Sequence, residues 1–257
     1  MSAYYNEFDP FAAAWLRELI KDGLIADGIV DERSIAEVEP NEIREFSQCH
    51  FFAGIGGWSY ALRLAGWPDT RRVWTGSPPC QPFSQAGKRR GTEDERHLWP
   101  QFFRLISECK PPVIFGEQVS SAIRDGWFDS LQADLEGEGY ACGMVVLPAA
   151  SVGAPHKRDR LWFVADAMGN TDNNGCKAGR ETAEAARHWS PNDTAGWVDT
   201  QLIYCRDNKC RPIPTEPTLF PLANGVSNRV GTLRGAGNAI VPQVAAEVIK
   251  AYMERES

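Results

Sequence analysis

Cys80 is the residue best suited to nucleophilic chemistry, and it lies in the stretch V-W-T-G-S-P-P-C-Q-P-F-S at 73–84. Each proline fixes its own φ at about −65° and pushes the residue before it into an extended conformation. The prolines at 78, 79 and 82 therefore predict a stiff turn that holds the thiol at the end of a strand. A structural cysteine in a proline-rich loop is the alternative, which these residues alone leave open.

Charged residues beside apolar runs offer partners for such a thiol. Glu117 comes directly after the apolar stretch V-I-F-G, at a strand end where a parallel sheet carries functional groups. Arg158 and Arg160 alternate as the chain enters the apolar stretch at 161–165, so period 2 would put both on one face of a strand. A surface glutamate at a strand end is the ordinary alternative.

The polar segment 85–96 follows the cysteine and carries Lys88, Arg89 and Arg90 between glycines. A basic loop beside a constrained thiol is suited to closing over a phosphodiester. A solvated surface loop is the alternative.

A glycine-rich turn separates a short apolar strand from a helix at 48–66. It contains Gly54, Gly56 and Gly57. Such a turn lets a ligand approach bare backbone and leaves helix N–H groups free for it. The spacing is not the full G-x-G-x-x-G dinucleotide pattern, and tight packing alone would also favour glycine here.

The charge of the chain is unevenly distributed. Of its 257 residues, 43% are hydrophobic and 24% are charged, and the net charge is −7. Residues 1–48 hold eleven acidic and four basic side chains, so the rest of the chain is balanced. Net charge is therefore a poor guide to nucleic-acid binding, which depends on local basic clusters.

The seven cysteines are irregularly spaced, which predicts reduced thiols and no disulfide framework. No apolar run approaches membrane-spanning length, and the acidic start is unlike a secretory signal. We expect a cytoplasmic protein that does not associate with membranes.

Strands and helices alternate over 48–167, which predicts a mostly parallel α/β sheet as the catalytic and cofactor-binding domain. Residues 1–47 are expected to form an acidic helical segment, with helices at 10–25 and 33–46. The alternation fails over 168–230, and residues 231–257 predict a glycine-rich turn and a C-terminal helix.

One hairpin is predicted inside the irregular region, from Leu202 to Ile213. Asp207-Asn208 as its turn would place Cys205 opposite Cys210. A zinc site built from these two cysteines with Cys176 and His188 is conceivable, but C-x4-C fits zinc spacing poorly. No metal is expected.

Five blocks in this order resemble one family. They read F-A-G-I-G-G at 52–57, P-P-C-Q-P-F-S at 78–84, G-E-Q-V at 116–119, P-H-K-R-D-R at 155–160 and G-N-A-I-V-P at 237–242. The chain resembles the DNA (cytosine-5)-methyltransferases, which use S-adenosylmethionine, and its compact layout is most similar to short phage or prophage members. The resemblance implies a Rossmann-like methyltransferase sheet, reduced in strand number, with a small target-recognition region at 168–230.

The resemblance also implies the catalytic roles. Cys80 would add as a thiolate to C6 of a flipped-out cytosine, which makes C5 able to accept a methyl group. Glu117 would engage N3 and the exocyclic amine. Arg160 would hold O2, and Arg158 would orient the catalytic loop.

Cofactor and DNA contacts are implied for further residues of these blocks. The cofactor contacts are Phe52, Ala53, Gly54, Gly56, Gly57, Pro79, Asn238 and Ala239. The DNA contacts are Gln81, Ser84, Lys88, Arg89 and Arg90.

The chain also departs from the family pattern. His50 stands where the family usually has Asp, Gln118 replaces the Asn of E-N-V, and His156 replaces a Gln. Two strands usually lie between the glycine loop and the cysteine strand and bring an acidic residue for the ribose hydroxyls, but here about a dozen residues separate them. We hypothesise that Asp31 or Glu32 supplies that carboxylate.

The expected activity is methyl transfer to cytosine C5 in duplex DNA. It implies double-stranded DNA as the partner, a monomer, and the cytoplasm of a bacterial host cell, and it leaves a cognate restriction endonuclease open. A non-catalytic DNA- or cofactor-binding relative and an RNA cytosine-5 methyltransferase are the alternatives.

Overall fold

The structure is a computed structural model that describes residues 2–79, 98–123, 126–154, 157–167, 200–204, 210–214 and 239–256. Its main body is one sheet with helices on both faces, so the predicted Rossmann-like α/β class is confirmed. In the described residues, no helix combines the length and apolar character that crossing a membrane requires.

The sheet has seven strands in the order β2-β1-β3-β4-β5-β7-β6. The strands are β1 Ala3–Asn6, β2 Gly28–Asp31, β3 Gln48–Phe51, β4 Val73–Gly76, β5 Val113–Val119, β6 Tyr140–Pro148 and β7 Asp159–Ala167. Strands β1 to β5 pair in parallel, whereas β7 is antiparallel to both β5 and β6. The carboxyl ends of the five parallel strands therefore meet at one edge of the sheet, together with the start of β7.

The helices are α1 Pro10–Lys21, α2 Pro40–Ile43, α3 Gly57–Ala65, α4 Trp99–Cys109, α5 Trp127–Gly137 and α6 Pro242–Glu256. Alternate residues of a strand point to opposite faces, and Trp74 and Ile114 pack with α4 and α5. Val73 and Phe115 pack instead with α3 and α6. Because helices cover both faces, β1, β3 and β4 are buried along their whole length, and this includes polar residues such as Gln48, His50 and Thr75.

The N-terminal segment contributes strands as well as helices. Ala3 of β1 lies opposite Gln48 of β3 on one side and opposite Gly28 of β2 on the other. The predicted reduction in strand number is therefore wrong, because residues 1–47 supply two strands to the sheet. They precede the glycine loop in the chain, whereas the resemblance places two strands after it.

The helix predicted at 33–46 is broken into two short pieces. A 3-10 turn at Ile35–Glu37 is followed by the four-residue α2, and Glu39 between them has φ −97° and ψ 139°. A residue before proline is disfavoured in the helical region, which explains the break before Pro40.

The predicted hairpin is present as β8 Thr200–Tyr204 and β9 Cys210–Pro214. Its register differs from the prediction, since Tyr204 and not Cys205 lies opposite Cys210. Five residues connect the paired positions, where the prediction had four. The other conceived zinc ligands, Cys176, His188 and Cys205, lie outside the described residues.

Candidate active site

The site lies at the edge where the parallel strands end. The glycine loop follows β3, the segment Ser77–Pro79 follows β4, and Glu117 lies near the end of β5. Arg160, at the start of the antiparallel β7, is opposite Val119. Open α/β sheets bind their ligands at this edge.

The glycine loop exposes its backbone. Phe52 and Gly54 have φ of 53° and 56°, and a Cβ built on Gly54 meets no described atom within 4 Å. Gly57, at the start of α3, is closely packed instead, since its Cβ would lie 2.8 Å from Ile240 Cγ1. The predicted loop and the last block are therefore neighbours, and the loop leaves room for a ligand over Gly54.

Glu117 and Arg160 form an ion pair, with Arg160 Nε 2.8 Å from Glu117 Oε1. The Glu117 side chain is only 11% exposed. Burial raises the pKa of Glu117, and the positive charges of Arg160 and Arg158 oppose that rise. Such a carboxyl group holds a proton more readily than an exposed one, which suits it to exchange a hydrogen bond with a base.

Arg158 lies outside β7, whereas the alternation predicted from the sequence places it on the strand with Arg160. It precedes β7, has φ of 38°, and donates from Nη2 to the carbonyl oxygen of Ala239 at 2.7 Å. The two arginines are therefore not alternate residues of one strand. Arg160 pairs with Glu117, and Arg158 ties the last block to the site.

Two side chains hold the segment that leads to Cys80. The Trp58 indole N–H donates to Ser77 Oγ at 3.0 Å. The Gln118 amide donates from Nε2 to the Pro78 carbonyl oxygen at 2.9 Å. Gln118, which replaces the Asn of E-N-V, thus still bonds to the segment after the neighbouring strand β4.

These contacts connect all five sequence blocks in a closed circuit. The glycine loop touches the last block, the last block bonds to the arginine block, and the arginine block pairs with the glutamate block. Gln118 of the glutamate block bonds to Pro78, and the preceding Ser77 accepts a hydrogen bond from Trp58 in the helix after the glycine loop. Gly57 and Ile240, which are 183 positions apart in the sequence, thus meet at this edge.

Part of the predicted site lies outside the described residues. This applies to Cys80, Gln81, Ser84, Lys88, Arg89, Arg90, Asn238 and His156. Pro79, which is described, is the last residue before the cysteine.

His50 is buried in β3, just before the glycine loop. Its Nδ1 lies 2.8 Å from Thr75 Oγ1 and its Nε2 lies 3.2 Å from Gln48 Oε1. Burial lowers its pKa to about 3. The position where the family usually has Asp therefore carries no charge in this chain.

A carboxylate that sequence reasoning missed lies beside the loop. Glu7 directly follows β1, and its Oε2 accepts the Gly54 N–H at 2.6 Å while Oε1 accepts the Asp9 N–H at 2.9 Å. Burial raises its pKa, and the two backbone donors oppose the rise. The available signal was an acidic residue after the short stretch A-Y-Y-N, which is too brief to reveal a strand.

The two carboxylates hypothesised from the sequence are engaged elsewhere. Asp31 pairs with Arg33 at 2.8 Å and accepts from the Tyr4 hydroxyl at 2.7 Å. Glu32 pairs with Arg17 at the surface.

Known proteins share the central part of this chain. The family model for the C-5 cytosine-specific DNA methylase matches residues 68–196, which is half of the chain. Type II methyltransferase M.AplI from Arthrospira platensis is 34% identical over 104 residues, 40% of this chain and 29% of that protein. Type II methyltransferase M.NgoMIV from Neisseria gonorrhoeae is 37% identical over 94 residues, 35% of this chain and 30% of that protein.

The chain thus matches less than a third of the length of either relative. A crystal structure of S. pombe Dnmt2 methyltransferase has a TM-score of 0.42 at 14% identity, covering 68% of this chain and 53% of that one. A likeness at this level does not bear on function. The family model covers the proline segment, Glu117 and both arginines, and the chain belongs to the C-5 cytosine-specific DNA methylase family.

Proposed function

We propose that this protein methylates C5 of cytosine in duplex DNA through a covalent bond between Cys80 and C6 of the base. The observation that carries the proposal is the buried Glu117–Arg160 pair. It lies at the edge of the sheet where the glycine loop follows β3 and the segment before Cys80 follows β4. Three functions are thereby gathered at one edge: a hydrogen-bonding acid for the base, a backbone cradle, and the approach to a thiol.

The chemistry assigns one task to each residue. The Cys80 thiolate adds to C6, and Glu117 holds the proton that N3 shares as negative charge develops on the ring. Arg160 keeps Glu117 in place and is also proposed to hold O2 of the base. S-adenosylmethionine, when bound, supplies an electrophilic methyl group to the activated C5. Loss of the C5 proton to a base then expels the Cys80 thiolate and restores the ring. C6 is inaccessible inside a duplex, so the cytosine must leave the base stack.

The residues around the glycine loop fit S-adenosylmethionine. The open backbone at Gly54 accommodates a ligand, and the Glu7 carboxylate beside it accepts hydrogen bonds as ribose hydroxyls would require. We propose Glu7 as the ribose carboxylate in place of Asp31 or Glu32, because both of those already have basic partners.

The duplex partner and the base-flipping step are part of this proposal. The expected DNA contacts of 81–90, the monomeric state and a cognate endonuclease stay predictions.

Covalent capture tests the function. Full-length protein is incubated with S-adenosylmethionine and a random-sequence duplex containing 5-fluorocytosine, which cannot lose a proton from C5. We expect a denaturation-resistant adduct with the wild type and none with Cys80→Ser. An adduct with RNA alone would replace DNA by RNA as the substrate, and no adduct with either would favour the non-catalytic alternative.

A further inference from the structure

Trp58 connects the glycine loop to the segment before the nucleophile. It is the second residue of α3, directly after the loop, and its indole N–H donates to Ser77 Oγ at 3.0 Å. Ser77 is three residues before Cys80. One hydrogen bond therefore joins the cofactor side of the proposed site to the nucleophile side.

The donor is held rigidly by its surroundings. The Trp58 side chain is buried, with its ring stacked on Phe115 at 6.4 Å and edge-on to Trp162 at 5.7 Å. A ring fixed by packing has already lost its rotamer freedom, so its hydrogen bond costs little further ordering. The geometry of Ser77 is thus set by the core under α3.

The segment itself transmits this constraint. Pro78 and Pro79 fix their own φ and lack N–H groups, so the segment cannot be held by donating backbone hydrogen bonds there. A second anchor comes from Gln118, which donates to the Pro78 carbonyl oxygen and accepts the Val119 N–H at 2.8 Å. Two side chains from two elements therefore fix a stiff segment that ends where Cys80 begins.

We propose that Trp58 is a positioning residue for the Cys80 thiol, acting through its hydrogen bond to Ser77. The inference rests on the proposed covalent reaction. It makes the helix after the glycine loop responsible for the placement of the nucleophile as well as for cofactor binding. The bond is made to Ser77 and not to the glycine loop itself, so we expect its loss to slow the addition to C6 and to leave S-adenosylmethionine affinity nearly unchanged.

Three variants separate this role from a general structural one. Ser77→Ala removes the acceptor, Trp58→Phe removes the N–H but keeps an aromatic ring, and Ser77→Thr keeps the hydroxyl. Adduct formation with 5-fluorocytosine duplex is timed at saturating S-adenosylmethionine, and cofactor affinity is measured by calorimetry. We expect Ser77→Ala and Trp58→Phe to form the adduct about tenfold more slowly. Ser77→Thr should react near the wild-type rate, with cofactor affinity within about twofold for all three.

The outcomes distinguish the role of Trp58 from the proposed function. Wild-type adduct formation with an undiminished rate in Ser77→Ala overturns the role of Trp58 and leaves the proposed function intact. A Ser77→Thr variant as slow as Ser77→Ala also overturns it, because the hydroxyl would then not matter. Absence of any wild-type adduct with DNA or RNA removes the proposed function, and this inference with it.

Discussion

Glu7 and Glu117 both stand near the carboxyl ends of strands in one sheet, and burial raises the pKa of both, yet their partners differ in kind. Glu7 is held by two backbone N–H groups, whereas Glu117 is held by a guanidinium group. Backbone donors are dipoles without a net charge, so they do not neutralise a Glu7 carboxylate, which suits it to accept hydrogen bonds from neutral hydroxyl groups. The Arg160 charge instead offsets that of Glu117, which suits a carboxyl that shares a proton with a base.

The largest effect is expected at Glu117, because its proton-sharing is part of the proposed reaction. Glu117→Gln should lower the single-turnover rate of methyl transfer to DNA by about a thousandfold, with cofactor affinity unchanged. The rate is measured by transfer of a radiolabelled methyl group. Glu136→Gln on the exposed side of α5 is the matched control and should leave the rate unaltered. A rate for Glu117→Gln within tenfold of wild type would contradict the assignment.

Removing the partner of Glu117 should cost stability in a way that depends on pH. Arg160→Met leaves a buried carboxylate without its counter-charge, and we expect a loss of about 3 kcal/mol in the free energy of unfolding near neutral pH. Arg17→Met, at the exposed Glu32 pair, should cost less than about 1 kcal/mol. Both values come from chemical denaturation.

The sign of the pH dependence follows from the direction of the pKa shift. A folded-state pKa raised above the unfolded value means stability that is fully present below the unfolded pKa and is lost as the pH rises through the folded pKa. Without Arg160 the pKa of Glu117 rises further, since that arginine opposes the rise. The deficit of Arg160→Met should therefore shrink as the pH falls towards about 4 to 5. A deficit that is constant with pH would show that lost packing, and not the charge, is responsible.

A smaller effect is expected at Glu7, and on a different quantity. Glu7→Gln replaces one acceptor oxygen by a donor that faces backbone N–H groups, so S-adenosylmethionine affinity should weaken about tenfold. The adduct rate at saturating cofactor should not change. Asp31→Asn is the matched control and should bind the cofactor within about twofold of wild type, since Asp31 is already paired with Arg33. If calorimetry shows weakened cofactor affinity in Asp31→Asn and unchanged affinity in Glu7→Gln, Asp31 and not Glu7 is the ribose carboxylate.

The position of Glu117 near the end of a strand could be predicted from the sequence, but the position of Glu7 could not. Glu117 is recognisable because it ends an apolar run of strand length, and the blocks around it carry their own chemistry. Strand β1 has only four residues, all buried, so it shows neither alternation nor length. Its pairing with β3 depends on a parallel partner more than forty residues away, which no local pattern encodes.

The hairpin and Arg158 show the same limit on a smaller scale. Strand positions for 200–214 could be predicted, but a register set by the length of the connection could not. Arg158 has a positive φ and precedes β7, so the prediction that it shares a strand face with Arg160 was wrong.

The early position of β1 and β2 has a consequence for biosynthesis. The strands β2, β1 and β3, the glycine loop and α3 all lie within residues 3–65, so a ribosome completes them before it makes β4 or β5. The N-terminal part of a chain emerges first and is available to begin folding during synthesis. The half of the sheet that we propose binds the cofactor can thus assemble first and offer β3 as the edge strand with which β4 then pairs.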